Sequence, residues 1–276
     1  MEISERIGDV KGKATTLNNM ALVFAHQGDI PRALALWEQS LEISERIGDV
    51  KGKATTLNNM AQVFAHQGDI PRALALWEQS LEIKERIGDV KGKAATLNNM
   101  ALVFADQGDI PRAIALWEQV VVALGQIRAY GDLVKSLGNL GLADESNSSV
   151  YLAQAIWLTL RIQAPLESTI NLIRVLYDIV PQGDEVEALL GAMARFFCAR
   201  QGEGHPQLEE LQNHSWRMIA GAAGRQGIET EEAFEAWFIQ LRLNDPDDFL
   251  PRLNQRLEEI VGNRWLFDPN QISMGE

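Results

Sequence analysis

An all-α fold, built as a stacked array of helical hairpins, follows from three features of the chain. Shifted by 40 positions, the first 120 of its 276 residues fall almost unchanged onto themselves. Within each period the apolar residues recur at helical spacing. A Gly-Asp pair then divides the period into two segments of about 18 residues. A fixed period of roughly 20–50 residues marks units that bury their apolar faces only against one another.

Residues 1–40 and 41–80 differ only at Met1/Leu41 and Leu22/Gln62, and residues 81–120 depart from 41–80 at Lys84, Ala95, Leu102, Asp106, Ile114 and Val120. A worn fourth copy, over residues 121–163, keeps Leu137, Asn139, Leu140, Gly141, Ala153 and Trp157 in register. The spacing predicts a first helix over about Val10–Gln27, with Ala14, Leu17, Met20, Ala21 and Phe24 on one side. Gly28 supplies the left-handed residue that ends it, and Asp29 caps the next helix. Pro31 falls in that helix's first turn, where a missing N–H costs little. The second helix is expected over about Ile30–Ile47, with Ala33, Leu34, Trp37, Leu41 and Ile47 inward, and Gly48-Asp49 closes the unit. Each helix is then roughly 27 Å long, and the short turns make neighbours antiparallel.

Three regions follow: the array over 1–163, a divergent hairpin over 164–205 and a capping helical bundle with its tail over 206–276. The hairpin is predicted from Leu166–Val180, ending before Pro181-Gln182-Gly183-Asp184, and from Glu185–Arg200. The bundle helices are predicted at Leu208–Arg225, Glu229–Leu243 and Asp248–Val261, with Pro251 in the first turn of the last. Trp265-Leu266-Phe267 is expected to fold back as an apolar latch or to dock elsewhere. Met1–Ile7 copies the end of a second helix, so the first helix is expected to lack a covering unit and to favour self-association.

Composition narrows the function. The net charge of −13 has the wrong sign for gripping a phosphate backbone, so no nucleic-acid partner is expected. Residues 1–120 carry a net −3 and the remainder −10. That acidic half reads as a solubilising cap or as a surface for a basic partner. No apolar run reaches the roughly 18 residues of a membrane span, and the N-terminus lacks the order of a signal peptide. A single thiol, Cys198, makes no internal disulfide and lies in the apolar run Arg195-Phe196-Phe197-Cys198, which favours a packed side chain over a nucleophile. Gly138-Asn139-Leu140-Gly141 has no preceding strand, and His205 and His214 have no carboxylate at ligand spacing. No catalytic residue, metal or cofactor is expected, and the chain does not read as an enzyme.

The string Leu17-x-x-Met20-Ala21-x-x-Phe24, followed by Ala33-x-x-x-Trp37, recurs as Leu57, Met60, Ala61, Phe64, Ala73, Trp77 and as Leu97, Met100, Ala101, Phe104, Ala113, Trp117. It resembles the tetratricopeptide repeat (TPR) pattern. Two departures, a period of 40 rather than 34 and Glu45 in place of a helix-ending proline, arise because the second helix runs on through Ser44-Glu45-Arg46-Ile47. The chain is therefore similar to the long-repeat TPR subgroup, with kinesin light chains, Pins-type polarity adaptors and bacterial signalling proteins. The resemblance implies a right-handed α-α superhelix, a TPR solenoid, with a C-terminal helical cap. It also implies a non-catalytic, cytoplasmic adaptor of bacterial character that binds a peptide segment of a partner protein. A self-associating structural module, forming homo-oligomers, is the second reading.

In that family the leading helix of each unit lines a concave groove. The groove candidates are then Asn18, Asn19, Leu22 and His26; Asn58, Asn59, Gln62 and His66; Asn98, Asn99, Leu102 and Asp106; and Asn139. A carboxamide both donates and accepts, which suits an extended peptide backbone. The same amides could instead tie each leading helix to the unit before it. A dicarboxylate clamp is not expected, because Asn18, Thr55 or Ala95 stands where it needs lysine or arginine. The repeated Asp-Val-Lys-Gly-Lys (Lys11, Lys13 and their copies) reads as a solvated rim, with a neighbouring glutamate or an acidic ligand as alternatives. The series Trp37, Trp77, Trp117, Trp157 reads as core rather than as a stacking platform.

Overall fold

The computed structural model describes residues 2–162, 172, 175, 185–201 and 206–272. These residues form 12 α-helices and one short 3-10 turn, and there is no strand among them. The chain divides into two compact units, Met1–Ile127 and Arg128–Glu276. The first holds three hairpins: α1 (Glu2–His26) with α2 (Ile30–Ile47), α3 (Val50–His66) with α4 (Ile70–Arg86), and α5 (Val90–Asp106) with α6 (Ile110–Gln126).

The turns follow the predicted chemistry. Gly28, Gly68 and Gly108 lie at φ 82°, 81° and 79°, the left-handed region that favours glycine. The next aspartate caps the trailing helix: Asp29, Asp69 and Asp109 accept from the backbone N–H groups of Arg32, Arg72 and Arg112 at 3.2–3.3 Å. At the other break Asp49 and Asp89 accept from Gly52 and Gly92 N–H at 3.2 and 2.9 Å. A glycine inside a helix costs about 0.5–1 kcal/mol against alanine. Gly52 and Gly92 are needed all the same, because a Cβ on Gly52 would sit 2.6 Å from the Asp49 carboxylate, and the space at Gly92 is tighter.

One break does not form. α1 runs without interruption through Gly8 and Asp9, so it starts at Glu2 rather than near Val10. At Gly48 the chain is turned back by bonds from Gly48 and Asp49 N–H to Glu45 and Ser44 carbonyls of a packed trailing helix. At Gly8 the helical bonding simply continues.

Within each hairpin two alanines meet at zero exposure: Ala21 and Ala33, Ala61 and Ala73, Ala101 and Ala113. Trp37, Trp77 and Trp117 are buried on the trailing helices, the core placement their spacing predicts.

The second unit contains α7 (Tyr130–Ala143), α8 (Ser148–Arg161), α9 (Glu185–Gln201), α10 (Pro206–Arg225), α11 (Glu231–Gln240) and α12 (Pro246–Val261). α7 and α8 form the fourth hairpin, worn at its entry: Arg128 holds φ 54° where earlier repeats have glycine, and Ala129 supplies no cap. α8 packs on α12, and α9 packs on α10 and α12. Trp157 Nε1 donates to Glu258 at 2.9 Å, and the rings of Trp265 and Phe267 lie 5.0 and 6.3 Å from it. Gln154 clamps the same strip, accepting from Leu266 N–H at 3.0 Å and donating to the Arg264 carbonyl at 3.2 Å. The tail is thus a latch on α8.

α12 begins at Pro246, under an Asp245 cap to Asp247 N–H, so Pro251 lies in the second turn and not the first. One backbone bond is forgone there, and burial of Phe249, Leu253, Leu257 and Val261 holds the helix. α11 is shorter than expected because the chain turns after Gln240. The predicted Leu166–Val180 helix (apart from residues 172 and 175), the boundary near 163 and the 202–205 linker lie outside the described residues.

The glycines give a clean test. Gly52→Ala and Gly92→Ala are each expected to lower stability by about 1 kcal/mol as the aspartate cap is displaced. Gly12→Ala, in open space inside α1, is expected to raise it by about 0.5–1 kcal/mol. Urea-denaturation midpoints of the three variants check the contrast.

Candidate functional site

In the first unit the leading helices α1, α3 and α5 touch one another across hairpins more extensively than the trailing helices do. The leading helices therefore form the inner side of this stack. Along it Asn19 is exposed and Asn59 and Asn99 are half-buried; Leu22 and Gln62 are half-buried and Leu102 is exposed; His26, His66 and Asp106 are all exposed. His26 Nδ1 lies 2.7 Å from the Leu22 carbonyl. Asn139, half-buried on α7, belongs to the second unit.

The other asparagine series lies deeper. Asn18 is 8% exposed, and its Oδ1 accepts from Trp37 Nε1 and from Asn59 Nδ2, both at 3.1 Å. Asn98 Oδ1 accepts from Trp117 Nε1 at 3.0 Å. These amides tie each leading helix to its own trailing tryptophan, and Asn18 also ties it to the next unit. Asn59 and Asn99 provide the second half of that tie, since Asn99 Nδ2 donates to Asn58 at 3.4 Å.

The middle repeat is bonded differently. Lys84 stands where Ser44 stands one repeat earlier, and it is 6% exposed. Its ammonium donates to Thr96 Oγ1 at 2.6 Å, and Thr96 donates to Asn58 Oδ1 at 3.0 Å. Asn58 thus serves Thr96 and Asn99, and the buried Trp77 Nε1 has no partner among the described residues. Burial pushes the Lys84 pKa below the ordinary 10.5, with the Asp89 carboxylate pulling it partly back.

Sequence reasoning missed this network, and it missed the stacking of Arg32, Arg72 and Arg112 over Phe24, Phe64 and Phe104 at 4.0, 4.0 and 4.7 Å. The fixed Phe-to-Arg spacing was the signal; it joins the end of one helix to the start of the next. On the rim, Lys53 and Lys93 pair with Glu45 and Glu85 at 2.7 and 2.6 Å, the glutamate alternative for these lysines. Such exposed pairs contribute at most about 1 kcal/mol. Among the described residues no group of side chains could hold a metal ion, and no helix is long and apolar enough to cross a membrane. Cys198 is half-buried, and burial pushes its thiol pKa up, away from a nucleophile's.

Hairpins of this spacing, small-residue contact and buried tryptophan match the tetratricopeptide repeat model over residues 12–86 and 52–124. Residues 12–124 belong to the tetratricopeptide repeat family. Among solved structures, the TPR array is similar to the kinesin light chain-like protein of nearly identical TPR-like repeats from Podosopora anserina, at 17% identity and a TM-score of 0.51, over 76% of this chain and 96% of that one. BtubC (BKLC) from P. vanneervenii is similar at 14% identity and a TM-score of 0.54, over 81% and 93%. At these identities the likeness is one of fold. No curated protein matches the chain. TPR arrays are in general protein-interaction scaffolds, and the family is typically non-catalytic.

Two measurements check the site's internal bonding. Asn18→Ala leaves two buried or half-buried donors unmatched and is expected to cost about 1–3 kcal/mol, against at most about 0.5 kcal/mol for Asn19→Ala. For Lys84 the sign follows from its lowered pKa. The buried ammonium opposes folding below its folded pKa, and the opposition fades as pH rises through that value toward 10.5. The stability of Lys84→Met relative to the wild type is therefore expected to be greatest near neutral pH and to fall by pH 10. A difference that is flat with pH, in denaturation titrations, would overturn the assignment of a desolvated ammonium.

Proposed function

We propose that the first unit is a non-catalytic adaptor surface that captures a peptide segment of a partner protein along α1, α3 and α5. One observation carries this reading. Solvent-reachable side chains capable of polar and apolar contact stand at a common register on three successive inner helices: Asn19, Asn59 and Asn99, with Leu22, Gln62 and Leu102 beside them. The two positions where near-identical repeats diverge on this face, Gln62/Leu102 and His66/Asp106, would set which segment is preferred. A reducing, cytoplasmic setting fits a lone half-buried thiol.

Self-association is the second reading, favoured by α1. Met20 is 43% and Val23 55% exposed, whereas Met60 and Met100 are 6% and 8%. Light scattering over a concentration series tests it.

The adaptor reading is tested with peptides selected from a random library on the wild-type protein. Asn59→Ala combined with Asn99→Ala, and separately Leu102→Asp, are expected to weaken those peptides about tenfold or more. Glu78→Ala, exposed on α4, is expected to leave affinity unchanged. Affinities that neither inner-face variant moves would overturn the groove.

A further inference from the structure

A cavity of about 190 Å³ opens between α1 and α3, over a floor made by α2. Its walls include Thr15 and Asn18 on one side and Thr55 and Thr56 on the other; Ser40 and Ser44 form the floor. Apart from that of Ser44, the hydroxyl hydrogens here are already engaged. Thr15 donates to the Lys11 carbonyl and Thr55 to the Lys51 carbonyl, both at 3.1 Å, and Ser40 donates to the Ala14 carbonyl at 2.9 Å. With the Ser40 hydrogen so placed, Thr56 is the donor in its 3.3 Å bond to Ser40. What the cavity presents is therefore the Thr56 lone pairs and the Ser44 hydroxyl, which can accept or donate. Ser44 is 1% exposed, and its Oγ has no partner among the described residues. Asn18 Oδ1 is filled by Trp37 and Asn59. Accepting oxygens at the buried end of the cavity suit a ligand that brings N–H donors there.

The chain itself shows which donor fits. One repeat on, the corresponding positions are Thr55, Asn58, Ser80, Lys84, Ala95 and Thr96, and there a butylammonium group lies buried with its nitrogen 2.6 Å from Thr96 Oγ1, the counterpart of Thr56. The rim cations do not forbid this. Lys11 is paired with Asp49 at 3.2 Å, and Lys84 is accommodated with Lys51 and Lys91 at the same two rim positions.

We propose that the α1–α3 cavity binds the side-chain ammonium of a lysine supplied by the partner segment, reproducing in trans what Lys84 does in cis. Thr56 and Ser44 accept from the ammonium, and the Asp49 carboxylate at the cavity edge supplies the opposite charge, as Asp89 does for Lys84. The cavity opens beside Thr15 and Thr55, on the leading helices. The inference rests on the adaptor reading only for where the lysine comes from.

The test uses Nα-acetyl-lysine N-methylamide on the full chain, followed by amide NMR shifts. Saturable shifts are expected at Ser44, Gly52 and Thr56, at least tenfold weaker with the norleucine analogue. Ser44→Lys should abolish them, since lysine is already tolerated at this position one repeat on. Lys84→Ser should add a second set at Gly92 and Thr96. Shifts that persist in Ser44→Lys, that norleucine reproduces equally, or that acetate produces instead would overturn the site. The two readings fail separately: lysine amide binding without any peptide binding removes the groove and keeps the site, whereas selected peptides indifferent to lysine remove the site and keep the groove.

Discussion

Everything in this chain depends on how closely the two helices of a hairpin approach. Ala21 and Ala33, like their copies, have no exposure at all, so both helices carry a small buried residue where they pack. In the worn fourth hairpin the same position is Gly141, where even a Cβ would come within 2.7 Å of Leu152. That approach fixes the hairpin as a rigid wedge with its tryptophan inside. Once the wedge is fixed, each unit offers its neighbour the same surface, and an array follows. The loss of cap and glycine at Ala129 and Arg128 did not dissolve the fourth hairpin, because the close contact was kept.

Most of this fold was legible in the sequence because it is local. Periodicity, Gly-Asp breaks and small residues act within a few residues of themselves, and 40-residue identity repeats the message three times. The exceptions are instructive. The Gly8-Asp9 pair has the same sequence as Gly48-Asp49 but runs on as helix, so the pair alone does not dictate a break. Pro251 entered a second turn because Asp245-Pro246 offered an earlier start than expected.

The candidate site was less legible, because it depends on which of two adjacent asparagines faces inward. Asn18 and Asn19 are indistinguishable by type, yet one is buried against Trp37 and the other lies in solvent. The second series is also not wholly turned outward, since Asn59 and Asn99 each donate to an amide of the preceding unit. An amide that both fastens the stack and lines its inner side makes the position of the lining depend on the packing beneath it.

Near-identity of the repeats makes the few differences unusually informative. A change between copies alters one place while every other contact stays as a control. Exchanging Ser44 for Lys84 moves Asn58 from its tryptophan to a threonine, leaves the Trp77 N–H unmatched and fills with an ammonium the space that one repeat earlier is a cavity. Leu22, Gln62 and Leu102 vary the inner face in the same way without touching the core. A repeat array can therefore acquire distinct binding positions along its length through single substitutions, because the backbone that presents them is set by the alanine contact and the capped turns rather than by the residues that change.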